Sequence, residues 1–216
     1  MKQYILHKIN EFTYSLKING DNNDLLYSSI QQIVNNSHID FENNQIIFNA
    51  EKIQTFKQYL ISQKQKQISH FNCIKLIYCL TTQIEYLHTL GFGFYGFDIN
   101  DILTIDDMFI CCNTYFLSPI YNDLFIFTSP IKKPYFSEPE LYKLTSLPFE
   151  IHHKCSYYSL GLFIIYSLNA NLLVCKEIKS AEEIDKIIQP LYNTKIYWFL
   201  KRCFNKNTYD RNLLLI

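Results

Sequence analysis

The chain has 216 residues, enough to bury a sizeable core in one domain or two small lobes. Hydrophobic residues at 48% and charged ones at 19% describe a folded protein, since disordered chains are poorer in apolar residues and richer in charge. Twenty basic residues balance twenty acidic ones, with a pI near 7.0, which removes the electrostatic case for DNA, RNA or anionic lipid as the main partner.

Lys2, His7 and Lys8 interrupt the first residues, so no apolar run of signal-peptide length is expected there. Seven cysteines, an odd number, predict reduced thiols and a cytoplasmic or nuclear location. Alternation in YILHKI and FTYSLKI predicts two short strands within residues 1–20. Asn19-Gly20 and the polar residues after it mark a turn. Apolar residues at Leu25, Leu26, Ile30, Ile33 and Val34 fall at helical spacing, with Asp24 as the expected N-cap. His38–Phe48 reads as a strand pair broken at Asn43-Asn44, and Lys52–Ser62 as a short amphipathic helix.

Cys73, Ile77, Leu80, Ile84 and Leu87 lie on one face of a helix over Phe71–Leu90, which Gly91 stops. Two strands, Ile102–Ile105 and Met108–Cys112, turn at Asp106-Asp107. Residues Thr114–Tyr135 read as irregular and aromatic-rich, broken by Pro119, Pro130 and Pro134. In Cys155–Leu173 nearly every position from Tyr157 to Leu168 is apolar. A helix apolar all round lies inside a core, and about a dozen residues fall short of the ~20 that cross a bilayer, so no membrane span is expected. Gly161 would let another backbone approach it. A helix at Ala181–Ile188 ends before Pro190, and a last helical pair covers Tyr197–Cys203 and the region after Asp210. Strands first and helices later give an α+β protein with a small β-rich lobe and a larger helical one.

From the helix at 71–90 onward the order of motifs resembles the protein-kinase fold. LHTLGFGFYGFDINDIL, Leu87–Leu103, lies without gaps on the segment that forms the kinase catalytic loop. YFSEPEL resembles the end of the activation segment, with Pro139-Glu140 on the Pro-Glu of its APE motif. SYYSLG matches the start of the buried central helix, and NKNTYDR, ending at Arg211, matches the last family motif. The likeness spans roughly residues 45–216. It implies a kinase-like domain with residues 1–50 as a reduced N-terminal lobe and 51–216 as the helical C-terminal lobe. It also implies a structural ion pair between Glu140 and Arg211.

The same register removes the catalytic residues. The His-Arg-Asp positions hold Phe94, Tyr95 and Gly96, so a glycine stands where the base should be. Asp98 takes the place of the loop lysine, Asp101 that of the metal-binding asparagine, and Asn113 falls at the aspartate of the DFG motif. Only Gly20 precedes Gly91, so there is no Gly-rich phosphate loop. Lys17 stands where the family has its strand lysine, a weak nucleotide-binding candidate because no glutamate occurs between Glu11 and Glu42 to partner it. The bland roles of Asp98 and Asp101 are loop caps or solvated charges.

His152-His153-x-Cys155 and Cys111-Cys112 lack the paired ligand spacing of structural zinc, which leaves buried thiols and surface histidines and no metal. No cofactor is expected. These readings converge on a catalytically inactive kinase-like protein, a pseudokinase, that works as a protein-binding regulator or scaffold. Its partner would be a protein, a kinase or a multi-protein assembly. The alternatives are an atypical active kinase using Asp98 and Asp101, and a structural subunit. Phe116, Tyr121, Phe125 and Phe127 crowd a segment that receives substrate in kinases, and they are the partner-binding candidates. The competing reading has them filling the cleft between the lobes.

Overall fold

The computed structural model describes residues 3–63, 66–142, 146–169 and 181–215 of this mixed α+β protein. Strands β1 (Tyr4–Lys8) and β2 (Thr13–Ile18) form a hairpin with Ile5 opposite Lys17. Strands β3 (His38–Asp40) and β4 (Gln45–Asn49) form a second hairpin, and the four make an antiparallel sheet in the order β1-β2-β4-β3. Helix α1 (Asn23–Gln31) connects the hairpins and buries Leu26, Tyr27 and Ile30. The Tyr27 hydroxyl accepts from the Ile18 amide (2.8 Å) and donates to the Asn44 carbonyl (2.9 Å), which ties the end of β2 to the β3–β4 turn. The N-cap of α1 is Asn22 in a left-handed conformation, not Asp24, which lies within the first turn.

The helix expected over Lys52–Ser62 divides in two. Ile53–Thr55 is strand β5, and helix α2 starts only at Phe56 and runs to Ser62. Thr55 and Gln58 form a reciprocal capping box, which fixes that start. Helix α3 (His70–Thr89) extends for about 30 Å at 1.5 Å per residue. Ser69 caps it, and Gly91, with positive φ, follows its end. Strand β6 (Phe92–Phe94) pairs with β9 (Leu117–Pro119), while β5, β7 (Ile102–Ile105) and β8 (Met108–Cys111) form a three-stranded sheet. On the edge of the α3 stripe, buried Gln83 accepts from the Cys111 amide (2.8 Å) and donates to the Cys111 carbonyl (3.1 Å) and to Ser29 Oγ (3.0 Å). One amide thus joins α3 to β8 and α1.

The segment 114–135 is more regular than its sequence suggests. Besides β9 it contains β10 (Leu124–Phe127), which pairs with β11 (Phe149–His152) as a two-stranded ribbon. A short helix, α4 (Pro139–Tyr142), lies between them. Helix α5 (Cys155–Leu168) is buried on nearly all sides, as an all-apolar helix must be. Its Phe163 ring sits 5.2 Å from the rings of Phe56 and Phe136 and 6.4 Å from Phe97. The close approach at Gly161 comes from a side chain rather than a backbone, because a Cβ there would lie 2.7 Å from Phe204 Cζ. Helices α6 (Ala181–Ile188) and α7 (Lys195–Cys203) complete the helical body. Among the described residues, no helix follows Asp210. Thr208–Asp210 is a single 3-10 turn, and Arg211–Leu215 has no regular structure.

The main core is continuous from Leu16 in β2 to Leu213 beyond α7. A second, smaller cluster beneath the β10–β11 ribbon gathers Tyr95, Phe116, Phe125, Phe127, Leu141 and Ile151. Among the described residues, no helix is long and apolar enough to cross a membrane.

Candidate functional site

The stretch between β6 and β7 is built by burial and by one 3-10 turn, and a second such turn lies between β8 and β9. Phe94 is fully buried against Phe97, and Tyr95 is buried in the smaller cluster. The Tyr95 hydroxyl donates to the Tyr115 carbonyl (2.7 Å) and lies 3.2 Å from that of Lys132. Burial pushes its pKa well up, so it is a hydrogen-bond donor and not a base. Phe97 and Phe136 exchange backbone bonds of 3.0 and 2.9 Å, which clamps this loop to the segment before α4. Gly96 lies inside the clamp. A Cβ built on it would sit 2.3 Å from Pro134 Cγ and 2.8 Å from the Phe136 carbonyl oxygen. Pro134 occupies the space that a side chain at residue 96 would need.

Asp98 accepts from the Asn100 amide (3.2 Å) and side chain (3.1 Å), capping the turn Ile99–Asp101. Asn113 caps the next turn, Thr114–Phe116, by accepting from the Tyr115 amide at 2.7 Å. Its side-chain nitrogen reaches Asp101 Oδ2 at 2.5 Å. Asp101 and Asn113, which the kinase resemblance would pair at a metal, are thus in direct contact. Asp101 is 5% exposed, and burial raises its pKa to about 6 against the lowering effect of the Asn113 bond. Asp98 adds to the rise and Lys132 opposes it.

A cavity of about 510 Å³ opens beside this pair, lined by Gln3, Tyr4, Asp98, Asn100, Asp101 and Lys132. The Asn113 amide group, a donor, is directed at the buried carboxylate where a cation would need a lone pair. Among the described residues, no group of three or more His, Cys, Asp or Glu side chains is arranged to hold a metal ion. Lys17 is exposed on β2 and is not part of the cavity wall. Thr114 Oγ1 donates to the Asn19 carbonyl (2.8 Å), so the β2–α1 loop rests directly on the residue after Asn113.

Asp101 makes a prediction with a definite sign. Its folded pKa lies above the ordinary 3.8, so the folded protein binds the proton more tightly than the unfolded chain. The stabilisation is present below about pH 4 and is lost as pH rises through 6. Asp101→Asn should therefore raise stability at pH 7 by roughly 1–3 kcal/mol and change little at pH 3.5. Urea denaturation at the two pH values measures the difference. Equal effects at both would mean that the carboxylate carries no such cost.

Arg211 is buried and paired, but its partner is Glu138 and not Glu140. Nη1 and Nη2 donate to Oε2 and Oε1 at 2.8 and 2.7 Å, and Nε donates to the Asn205 carbonyl at 2.9 Å. Glu140 is exposed in the first turn of α4. The partner-binding candidates are corrected too. Phe116, Phe125 and Phe127 are 1%, 0% and 6% exposed in the cluster under the ribbon, and only Tyr121 faces solvent. They fill neither an open surface nor the cavity at Asp101.

The histidines at 152 and 153 are not surface residues. They lie half-buried and stacked on each other, 4.7 Å between ring centres, with the His88 ring 4.6 Å from His153. Cys73, Cys79, Cys111, Cys112, Cys155 and Cys203 are buried free thiols whose pKa values burial drives up. Sequence reasoning missed Glu138, Gln83, Pro134 and His88. Gln83 alone gave a signal, as a polar residue bordering an otherwise apolar stripe. Comparison with protein-family models and with curated proteins gives no match for this chain.

Proposed function

We propose that the chain is a catalytically inactive kinase-like protein, a pseudokinase, that regulates or scaffolds a protein partner. The observation that carries the reading is Gly96 under Pro134. In the register of the kinase resemblance the base position has no carboxylate, and no room for one. Support for the kinase-like part comes from a four-stranded antiparallel sheet with one helix ahead of a mainly helical body. The buried helix α5 and the buried arginine at 211, although paired with Glu138 and not with Glu140, add to that support. Protein binding then has to use what is exposed. Phe71 and Tyr78, 67% and 61% exposed, stand two turns apart on α3 with Lys75 between them. Phe12 and Phe41 are exposed near the first sheet.

Millimolar Mg-ATP should leave the melting temperature unchanged. A ligand at 100 times its Kd would add about 2.7 kcal/mol, which such a melt resolves. A saturable rise accompanied by phosphoryl transfer would overturn the reading and assign Asp98 as base and Asp101 as metal ligand.

A further inference from the structure

We propose that His88 and His153 form a proton-sensitive latch, which holds the β10–β11 ribbon over the Tyr95–Phe125–Phe127 cluster while both rings are neutral and releases it when they are protonated. The two rings meet edge to face where the C-terminal turn of α3 touches the end of β11. His88 Nε2 and His153 Nδ1 are buried and have no hydrogen-bond partner among the described residues. The His153 amide donates to the Asp123 carbonyl (2.9 Å), one rung beyond the Leu124–His152 pair, so His153 is part of the ribbon's closing edge. His88 belongs to the body that the ribbon covers. Its Nε2 and the Phe125 ring flank Gly93 in β6, 3.2 and 3.0 Å from where a Cβ would stand.

A proton on either ring would have little to compensate it. The neighbouring groups are His152 at the end of β11, Lys154 beyond it, Asp123 just before β10, Tyr157 on α5 with Glu85 of α3 near it, and Tyr209 against His152. The Arg211–Glu138 pair also acts on His152, but its charges cancel each other. The nearest carboxylate oxygen is Asp123 Oδ1, 3.8 Å from His153 Nε2, on a side chain 76% exposed. Lys154 and the other rings oppose a second charge. Burial accordingly holds both histidines down to about 4, against the ordinary 6.5. The sign follows from linkage. The opened form takes up protons below pH 6.5 and the closed form does not until about 4, so acidification across that window favours opening.

Amide hydrogen exchange on the intact protein tests the latch, with rates corrected for the intrinsic pH dependence. Between pH 7.5 and pH 5, residues 124–127 and 149–152 should lose protection by roughly thirtyfold for each histidine that titrates, while Leu76–Ile84 of α3 keep theirs. A paired His88→Phe/His153→Phe variant should show a pH-independent ribbon. Unchanged ribbon protection in the wild type would overturn the latch. So would an equal loss throughout α3, which means global acid unfolding, or full pH dependence in a folded double variant. The wild-type profile decides even where the double variant does not fold.

Discussion

Arg211→Met should destabilise the protein by roughly 3–5 kcal/mol, and Glu138→Gln by a comparable amount, because each leaves its partner's charge buried and unpaired. The two side chains are 4% and 8% exposed and meet through a pair of parallel bonds, the strongest form of an arginine–carboxylate contact. The Tyr158 ring lies 5.3 Å from the guanidinium and shields it further. The double change Glu138→Gln/Arg211→Met should cost less than the sum of the single ones, since groups in contact are non-additive. Glu140→Gln is the control. That residue is exposed, and its loss should move stability by less than about 0.5 kcal/mol. Chemical denaturation of the four variants reads all of this. A large effect at Glu140, or additive effects at 138 and 211, would place the ion pair elsewhere.

Phe125→Ser should cost roughly 3–5 kcal/mol, the range for removing a fully buried aromatic ring. Phe125 has no exposed surface, and its ring centre is 6.2 Å from Phe127 and 6.5 Å from Tyr95. A serine there leaves a cavity and a hydroxyl among aromatic rings, with the backbone of β10 already committed to β11. Tyr121→Ser, on a side chain 57% exposed, should leave the melting temperature within experimental error. The comparison separates a core role from a surface role for this segment. A stable Phe125→Ser protein would mean that the ribbon does not cover the cluster in solution.

Elements whose cause is local could be read from the sequence alone. The one-sided stripe of α3, the nearly continuous apolarity of α5 and the Asp106-Asp107 turn between β7 and β8 each state their own structure within a few residues. The ribbon could not be read in this way. Leu124–Phe127 is a short all-apolar run with no alternation, and its partner strand lies beyond α4, so nothing near it announces pairing. The crowding of aromatic rings was visible, but whether they face solvent depends on that distant strand. The ion pair shows a finer limit. Glu138 and Glu140 flank one proline, and only the start of α4 at Pro139 turns Glu140 outward while leaving Glu138 beside Arg211. Ligand spacing misled for the histidines, because a neutral imidazole can also pack against aromatic rings, and which it does depends on residues distant in sequence.

On the proposed pseudokinase reading, Gly96 under Pro134 makes the missing base a one-way door. At most positions a lost functional group can return through a single codon change, and the surrounding fold tolerates the visitor. Here any side chain at residue 96 collides with a proline ring and also with the Phe136 carbonyl, which is held in place by the hydrogen bond it accepts from the Phe97 amide. A backbone atom cannot swing aside as the end of a flexible side chain can. Gly96→Asp alone therefore yields a strained protein rather than a repaired one. Reinstalling the carboxylate takes at least a paired substitution that first empties the space at 134. On that reading single-step reversion is closed, and a library that varies residue 96 alone should not yield a working base.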